Sequence, residues 1–162
     1  MPYRLQPLLA AALLGAALPI FAAGTVEVSF VEPRQFSDAG ATPLETERTT
    51  RVLSDELKRL GQRLPDGQQL RIEVLDVDLA GSLKPGRHGE LRVLRGGADW
   101  PSLRLRYTLT ADGRPLLTGE ESIADLDYLG TLPPAAYGSS LPYEQRLLAR
   151  WFNERIVRAQ AQ

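Results

Sequence analysis

Between Leu70 and Gly81 lies the longest strand-like run of the chain, and it changes phase part-way. From Leu70 to Val74 apolar residues alternate with Arg71 and Glu73, the period of a strand with one buried face. From Val74 to Leu79 they alternate with Asp76 and Asp78 in the opposite phase. A one-residue slip in a strand turns every side chain to the other face, so the run predicts either a β-bulge or burial on both sides. A carboxylate taken out of water needs hydrogen-bond donors or a cation. Asp76 and Asp78 are therefore structural anchors or the centre of a site.

The flanking segments predict the rest of the architecture. Thr25 to Phe30 alternates Val26, Val28 and Phe30 against Glu27 and Ser29, a short strand, and Val31 to Ala41 is a loop carrying Pro33, Asp38 and Gly40. Thr42, Pro43 and Glu45 then supply an N-cap, a proline at the first helical position and the third-position acid of a capping box. The helix they open runs to Gly61, with Thr49, Val52, Leu53, Leu57 and Leu60 on its apolar stripe; Glu56 and Arg59 belong to the face turned to water. After Pro65-Asp66-Gly67 turns the chain into the central strand, Ser82 to Pro101 is irregular and glycine-rich, with a short strand at Glu90 to Leu94.

Leu103, Leu105, Tyr107 and Leu109 alternate with Arg104, Arg106, Thr108 and Thr110 in a half-buried strand. A three-residue loop Ala111-Asp112-Gly113 would pair Thr110 with Arg114 and put Arg104 opposite Glu120. The return strand reaches Ile123, with Gly119 relaxing a bend, and Asp125 to Ser139 forms a covering loop. Pro142 starts a last helix whose stripe is Tyr143, Leu147, Leu148, Trp151, Phe152 and Ile156. The expected fold is α+β: a mostly antiparallel sheet of about four strands, with two amphipathic helices packed on one face and the other face polar.

Residues 1–24 have the layout of a secretory signal peptide: Arg4, an apolar core from Leu8 to Phe21, and the small residues Ala22-Ala23-Gly24. The apolar run is shorter than the ~20 residues a membrane-spanning helix needs. The expectation is a periplasmic or secreted protein whose single α+β domain occupies residues 25–162. With 43% hydrophobic and 24% charged residues the chain can build a core, and a formal net charge of −1 gives no reason to expect a nucleic-acid partner.

The absence of cysteine excludes disulfides, thiolate chemistry and acylation as a lipoprotein. There is no G-x-S-x-G elbow, no phosphate-binding glycine motif and one histidine, His88, so no catalytic residue and no cofactor is assigned. Two readings of the remaining chemistry compete. In one, Asp76 and Asp78, joined by His88, hold a metal ion in a metal-binding protein or metal-dependent hydrolase, although a D-x-D spacing alone is common. In the other, the aspartates accept backbone N–H bonds or pair with arginines. Function would then lie in the basic segment with Lys84, Arg87, Arg92 and Arg95, facing an envelope protein or an anionic envelope component. Trp100 is either a core plug or an exposed platform for a ligand. A third arrangement, a homodimeric scaffold, would use an unpaired strand edge.

Leu75-Asp-Val-Asp-Leu-Ala-Gly81, Leu103-Arg-Leu-Arg-Tyr-Thr-Leu109 with Asp112-Gly113, and Tyr143-Glu-Gln-Arg-Leu-Leu-Ala-Arg-Trp-Phe152 resemble the proteobacterial family called domain of unknown function 3016. Val26-Glu-Val-Ser-Phe-Val-Glu-Pro33 and Phe36-Ser-Asp38 are similar to it too, so the likeness spans essentially the whole expected mature chain. The resemblance implies an exported single-domain protein. It carries over no catalytic or binding residue, because the family's function is itself unassigned. Taken together, these expectations describe a non-catalytic binding module of the bacterial envelope.

Overall fold

The computed structural model describes residues 24–87, 89–130 and 138–161. The expected export signal (save Gly24), His88, and Pro133, Pro134 and Tyr137 of the covering loop lie outside the described residues.

Strand β1 (Thr25–Phe30) is followed by helix α1 (Pro43–Gly61), strand β2 (Gln68–Asp78), the hairpin β3 (Ser82–Gly86) and β4 (Gly89–Val93), the hairpin β5 (Ser102–Ala111) and β6 (Arg114–Ala124), and helix α2 (Pro142–Trp151). Four strands form one sheet in the order β1-β2-β5-β6, while β3 and β4 form a separate two-stranded sheet. The sheet is mixed: β2, β5 and β6 are antiparallel, but β1 runs parallel to β2. The expectation of a mostly antiparallel sheet is corrected at this pair. The 19 residues of α1 give the connection the length that a parallel crossover requires.

The phase change in the central strand is a bulge. Val74 faces Leu105 and Asp76 faces Arg104, so Leu75 is the extra residue. With that insertion Leu70, Ile72, Val74 and Val77 all reach the core, and Asp76 and Asp78 turn to the opposite, partly solvated face. Leu53, Leu57 and Leu60 from α1, Leu103, Leu105, Tyr107 and Leu109 from β5, and Leu147, Leu148 and Trp151 from α2 complete the same cluster. Tyr107 meets Trp151 edge-on, with ring centroids 5.3 Å apart.

The Thr42 hydroxyl accepts the Glu45 N–H at 3.2 Å, and the Glu45 carboxylate reaches back to the Ala41 N–H at 2.7 Å, one residue beyond the usual partner of a capping box. Gly61 does end the helix, but its role is close approach, since a Cβ there would meet the Val26 side chain at 1.9 Å. Glu56 departs from expectation: it is only 6% exposed, and Arg59 holds it through two bonds of 2.9 and 2.6 Å. Beyond Trp151 the helix loosens into a π-helical turn, Phe152–Val157, which still buries Phe152 and Ile156.

The β5–β6 register also needs correction. Ala111 pairs with Arg114, so the loop is the two residues Asp112 and Gly113, at φ 49° and 76°. Both are left-handed, the geometry whose twist matches a hairpin. Leu109 faces Leu117 while Thr110 faces Pro115, which leaves Leu116 as an extra residue, 55% exposed. Turn and bulge together place Arg106, not Arg104, opposite Glu120. Gly119 leaves room for Tyr107 across the ladder, because a Cβ would lie 2.6 Å from the phenol oxygen. That phenol donates to Glu121, and burial with this neighbouring carboxylate pushes its pKa up to about 12.

Candidate functional site

The C-terminal end of β2 is where the residues singled out by sequence meet. Beyond the bulge, the segment preceding α1 takes over as the parallel neighbour of β2: the Asp38 N–H donates to the Val77 carbonyl at 2.9 Å, and the Leu79 N–H donates to the Asp38 carbonyl at 3.0 Å. Asp76 is the clasp for this segment. Its carboxylate accepts the Ser37 N–H at 2.8 Å, the Ser37 hydroxyl at 2.7 Å and the Val77 N–H at 2.9 Å. Asp76 thus fastens the loop before α1 to the end of β2.

Asp78 has different surroundings. It is half-buried, and among the described residues no hydrogen bond reaches its carboxylate. Burial raises its pKa, the nearby charges of Asp38 and Asp76 raise it further, and Arg92 opposes them. Asp38 is fully engaged: Arg92 grips it with two bonds of 2.9 Å, and the Gly40 N–H donates to it at 3.0 Å. Among the described residues no group of three or more His, Cys, Asp or Glu is placed to hold a metal ion. Asp38 and Asp76 are committed to donors of the protein itself, and His88, the third ligand of the expected metal site, lies outside the described residues.

The basic segment divides into residues with separate tasks. Arg92 is structural, since besides gripping Asp38 it donates to the Ala80 carbonyl at 3.3 Å and ties the base of the β3–β4 hairpin to the end of β2. Lys84 and Arg87 are exposed toward the far end of that hairpin, and Arg95 is exposed at the exit of β4. Trp100 is half-buried and stands apart from the core cluster, which corrects the core-plug reading. It lines a cleft of about 370 Å³ together with Asp78, Ser82, Arg95, Gly96 and Asp99.

Two acids that the sequence reading passed over organise this end of the molecule. Asp99 accepts the Arg95 N–H at 2.9 Å and the Tyr128 hydroxyl at 2.9 Å, and these donors hold its pKa below the usual carboxylate range. Tyr128, 1% exposed, in turn accepts the Gly96 N–H at 3.1 Å and packs edge-on against Tyr143. Glu144, 2% exposed, accepts the Ala80 N–H at 2.8 Å and so joins the start of α2 to the end of β2. The only hint of Glu144 in the sequence is an acid in the first helical turn, a position normally turned to solvent.

With this geometry in place, the chain can be set beside known proteins. The model of a protein family of unknown function, DUF3016, matches residues 24–154. The chain belongs to the DUF3016 family. No curated protein matches the sequence. A solved structure with some likeness to this DUF3016 protein is the hypothetical protein CT253 of Chlamydia trachomatis. It is 10% identical, with 86% of this chain and 97% of that one covered at a TM-score of 0.36. Among the described residues of this DUF3016 member no helix is long and apolar enough to cross a membrane.

Proposed function

We propose that this protein is an exported, non-catalytic binding module of the bacterial envelope that docks onto an anionic component through the β3–β4 hairpin. The observation that carries the proposal is the hairpin itself, in which no described residue of either strand is buried. An isolated two-stranded hairpin is marginally stable in water, yet this one is clamped at its base by Arg92. It presents Lys84 and Arg87 to solvent, and neither has an acidic partner among the described residues. Leu91, directly opposite Lys84, adds an apolar contact that is 62% exposed. Export rests on the layout of residues 1–24, and the absence of catalysis on the missing nucleophile and phosphate motifs.

Cosedimentation with vesicles tests the docking. The protein should bind vesicles containing phosphatidylglycerol more tightly than pure phosphatidylcholine, and salt should weaken the binding. At ~1 kcal/mol per cation near an anionic surface, reversing both charges in K84E/R87E should lower affinity at least tenfold. Equal binding to both vesicle types, or an unaffected double variant, would sink the proposal. Export is checked by the mass of the protein recovered from the periplasm, which should begin near Thr25.

A further inference from the structure

Of the carboxylates at the end of β2, Asp78 alone lacks a donor among the described residues, and it lines the cleft that Trp100 also lines. The walls of that cleft are fixed before any ligand arrives. The Gly81 N–H donates to the Asp99 carbonyl at 2.8 Å and joins the two sides. The Asp99 carboxylate pins the turn from Arg95, and the Tyr128 hydroxyl holds Gly96 from behind. A site whose groups are already ordered loses little conformational freedom on binding. Gly81, at φ +84°, fits tightly against the end of β4, because a Cβ there would meet the Val93 carbonyl oxygen at 2.7 Å.

The lining selects the class of ligand. Asp78 and Asp99 outweigh Arg95 in charge, which disfavours an anion. Both oxygens of Asp99 already accept bonds, so a metal ion would find one free carboxylate, too few for a hard cation. What is available is a carboxylate that accepts, a guanidinium and the Ser82 hydroxyl that donate, and a large aromatic surface. We propose that this cleft binds a neutral carbohydrate ring, with Trp100 against its apolar face and Asp78 and Arg95 bonded to its hydroxyl groups. The site stands apart from hairpin docking, so K84E/R87E should leave it intact, and vesicle binding does not bear on it.

The protein's two tryptophans, Trp100 and the buried Trp151, give two indole N–H signals in nitrogen-15 NMR. On titration with maltotriose, cellotriose or chitotriose, at least one should shift the Trp100 signal and the Gly81, Ser82 and Gly96 amides while Trp151 stays in place. Trp100→Ala should abolish the response and Trp100→Phe should retain part of it, which separates loss of the aromatic surface from misfolding. Removing hydrogen bonds to a charged acceptor in Asp78→Ala should weaken binding about tenfold or more, and Asp78→Asn, which keeps an acceptor oxygen, by less. Three results would each overturn the assignment: no shift with any of the saccharides, saccharide binding that survives Trp100→Ala, or a response at these residues to spermidine or Ca²⁺ alone.

Discussion

The two hairpins of this protein are built from strands of opposite character. β5 and β6 form half of the main sheet, with four side chains of β5 buried in the core. β3 and β4 form a sheet of their own in which no described residue is fully buried. Each is nevertheless fastened by an arginine–aspartate clasp. At the end of β6, Asp125 is 4% exposed and takes bonds of 3.0 and 2.7 Å from Arg146 and one of 3.2 Å from Arg150, both on α2. At the base of β4, Arg92 grips the half-buried Asp38. The contrast teaches that the same ion pair serves two ends: one completes a core, and the other holds an arm out from it.

The largest effect that sharpens this contrast is expected at the buried clasp. Arg146→Ala leaves Asp125 buried with Arg150 as its one remaining arginine, and removing one partner of a buried pair costs about 3–5 kcal/mol. Urea unfolding should show the loss across the whole molecule. A cost below 1 kcal/mol would mean that water reaches Asp125 and that the two clasps are equivalent.

The hairpins themselves come next. Leu105→Ala in β5, fully buried, should cost about 2–5 kcal/mol, whereas Leu91→Ala in β4, 62% exposed, should fall within about 0.5 kcal/mol of the parent. Equal costs in thermal unfolding would break the comparison, because β3–β4 would then belong to the core. This difference also governs how much could be foreseen. The strand from Leu103 to Leu109 declares itself through strict alternation, because one of its faces must be apolar. Ser82-Leu-Lys-Pro-Gly86 carries no such pattern, since neither of its faces is buried in a core, and it passes for a loop. The bulge at Leu75 was legible as one of two outcomes, because a strand that changes phase needs either a bulge or burial on both faces. The bulge at Leu116 was not, because the extra residue is a leucine turned to solvent, which periodicity reads as one more core position. The roles of Asp38 and Glu144 were not legible for a related reason: their partners lie far away in the chain, at Arg92 and Ala80.

A smaller and local effect is expected at the second clasp. Arg92→Ala removes two charge-assisted bonds to Asp38 and one to Ala80, a loss of about 1–3 kcal/mol. Because the hairpin shares no core with the sheet, the loss should appear as faster amide exchange in Lys84 and Leu91, which face each other across the ladder, with little change in global melting. Exchange that quickens equally in β5 would show that the arm and the sheet open as one unit.

The smallest effect concerns pH, where two buried acids should act in opposite directions. Burial pushes Asp125 up, but the hydrogen bonds and charges of Arg146 and Arg150 outweigh it and hold its pKa below the ordinary 3.8. Its contribution to stability is therefore present above that value and lost as pH falls through the lowered one. Glu144 is the reverse case. Burial raises its pKa above the ordinary 4.5, Asp38 adds to the rise, and the Ala80 N–H, its own backbone N–H and Arg92 only partly oppose it. The stability it contributes is fully present below 4.5 and lost as pH rises through the raised value. Glu144→Gln keeps an oxygen for the Ala80 N–H and removes the charge, so its melting temperature should gain on that of the parent as pH rises from acid to neutral. Below pH 4.5, where the parent side chain is also neutral, the two proteins should converge. Parallel melting curves across that range would show that the Glu144 carboxylate is already stabilised by its donors, and that the joint between α2 and β2 is as well satisfied as the clasp at Asp125.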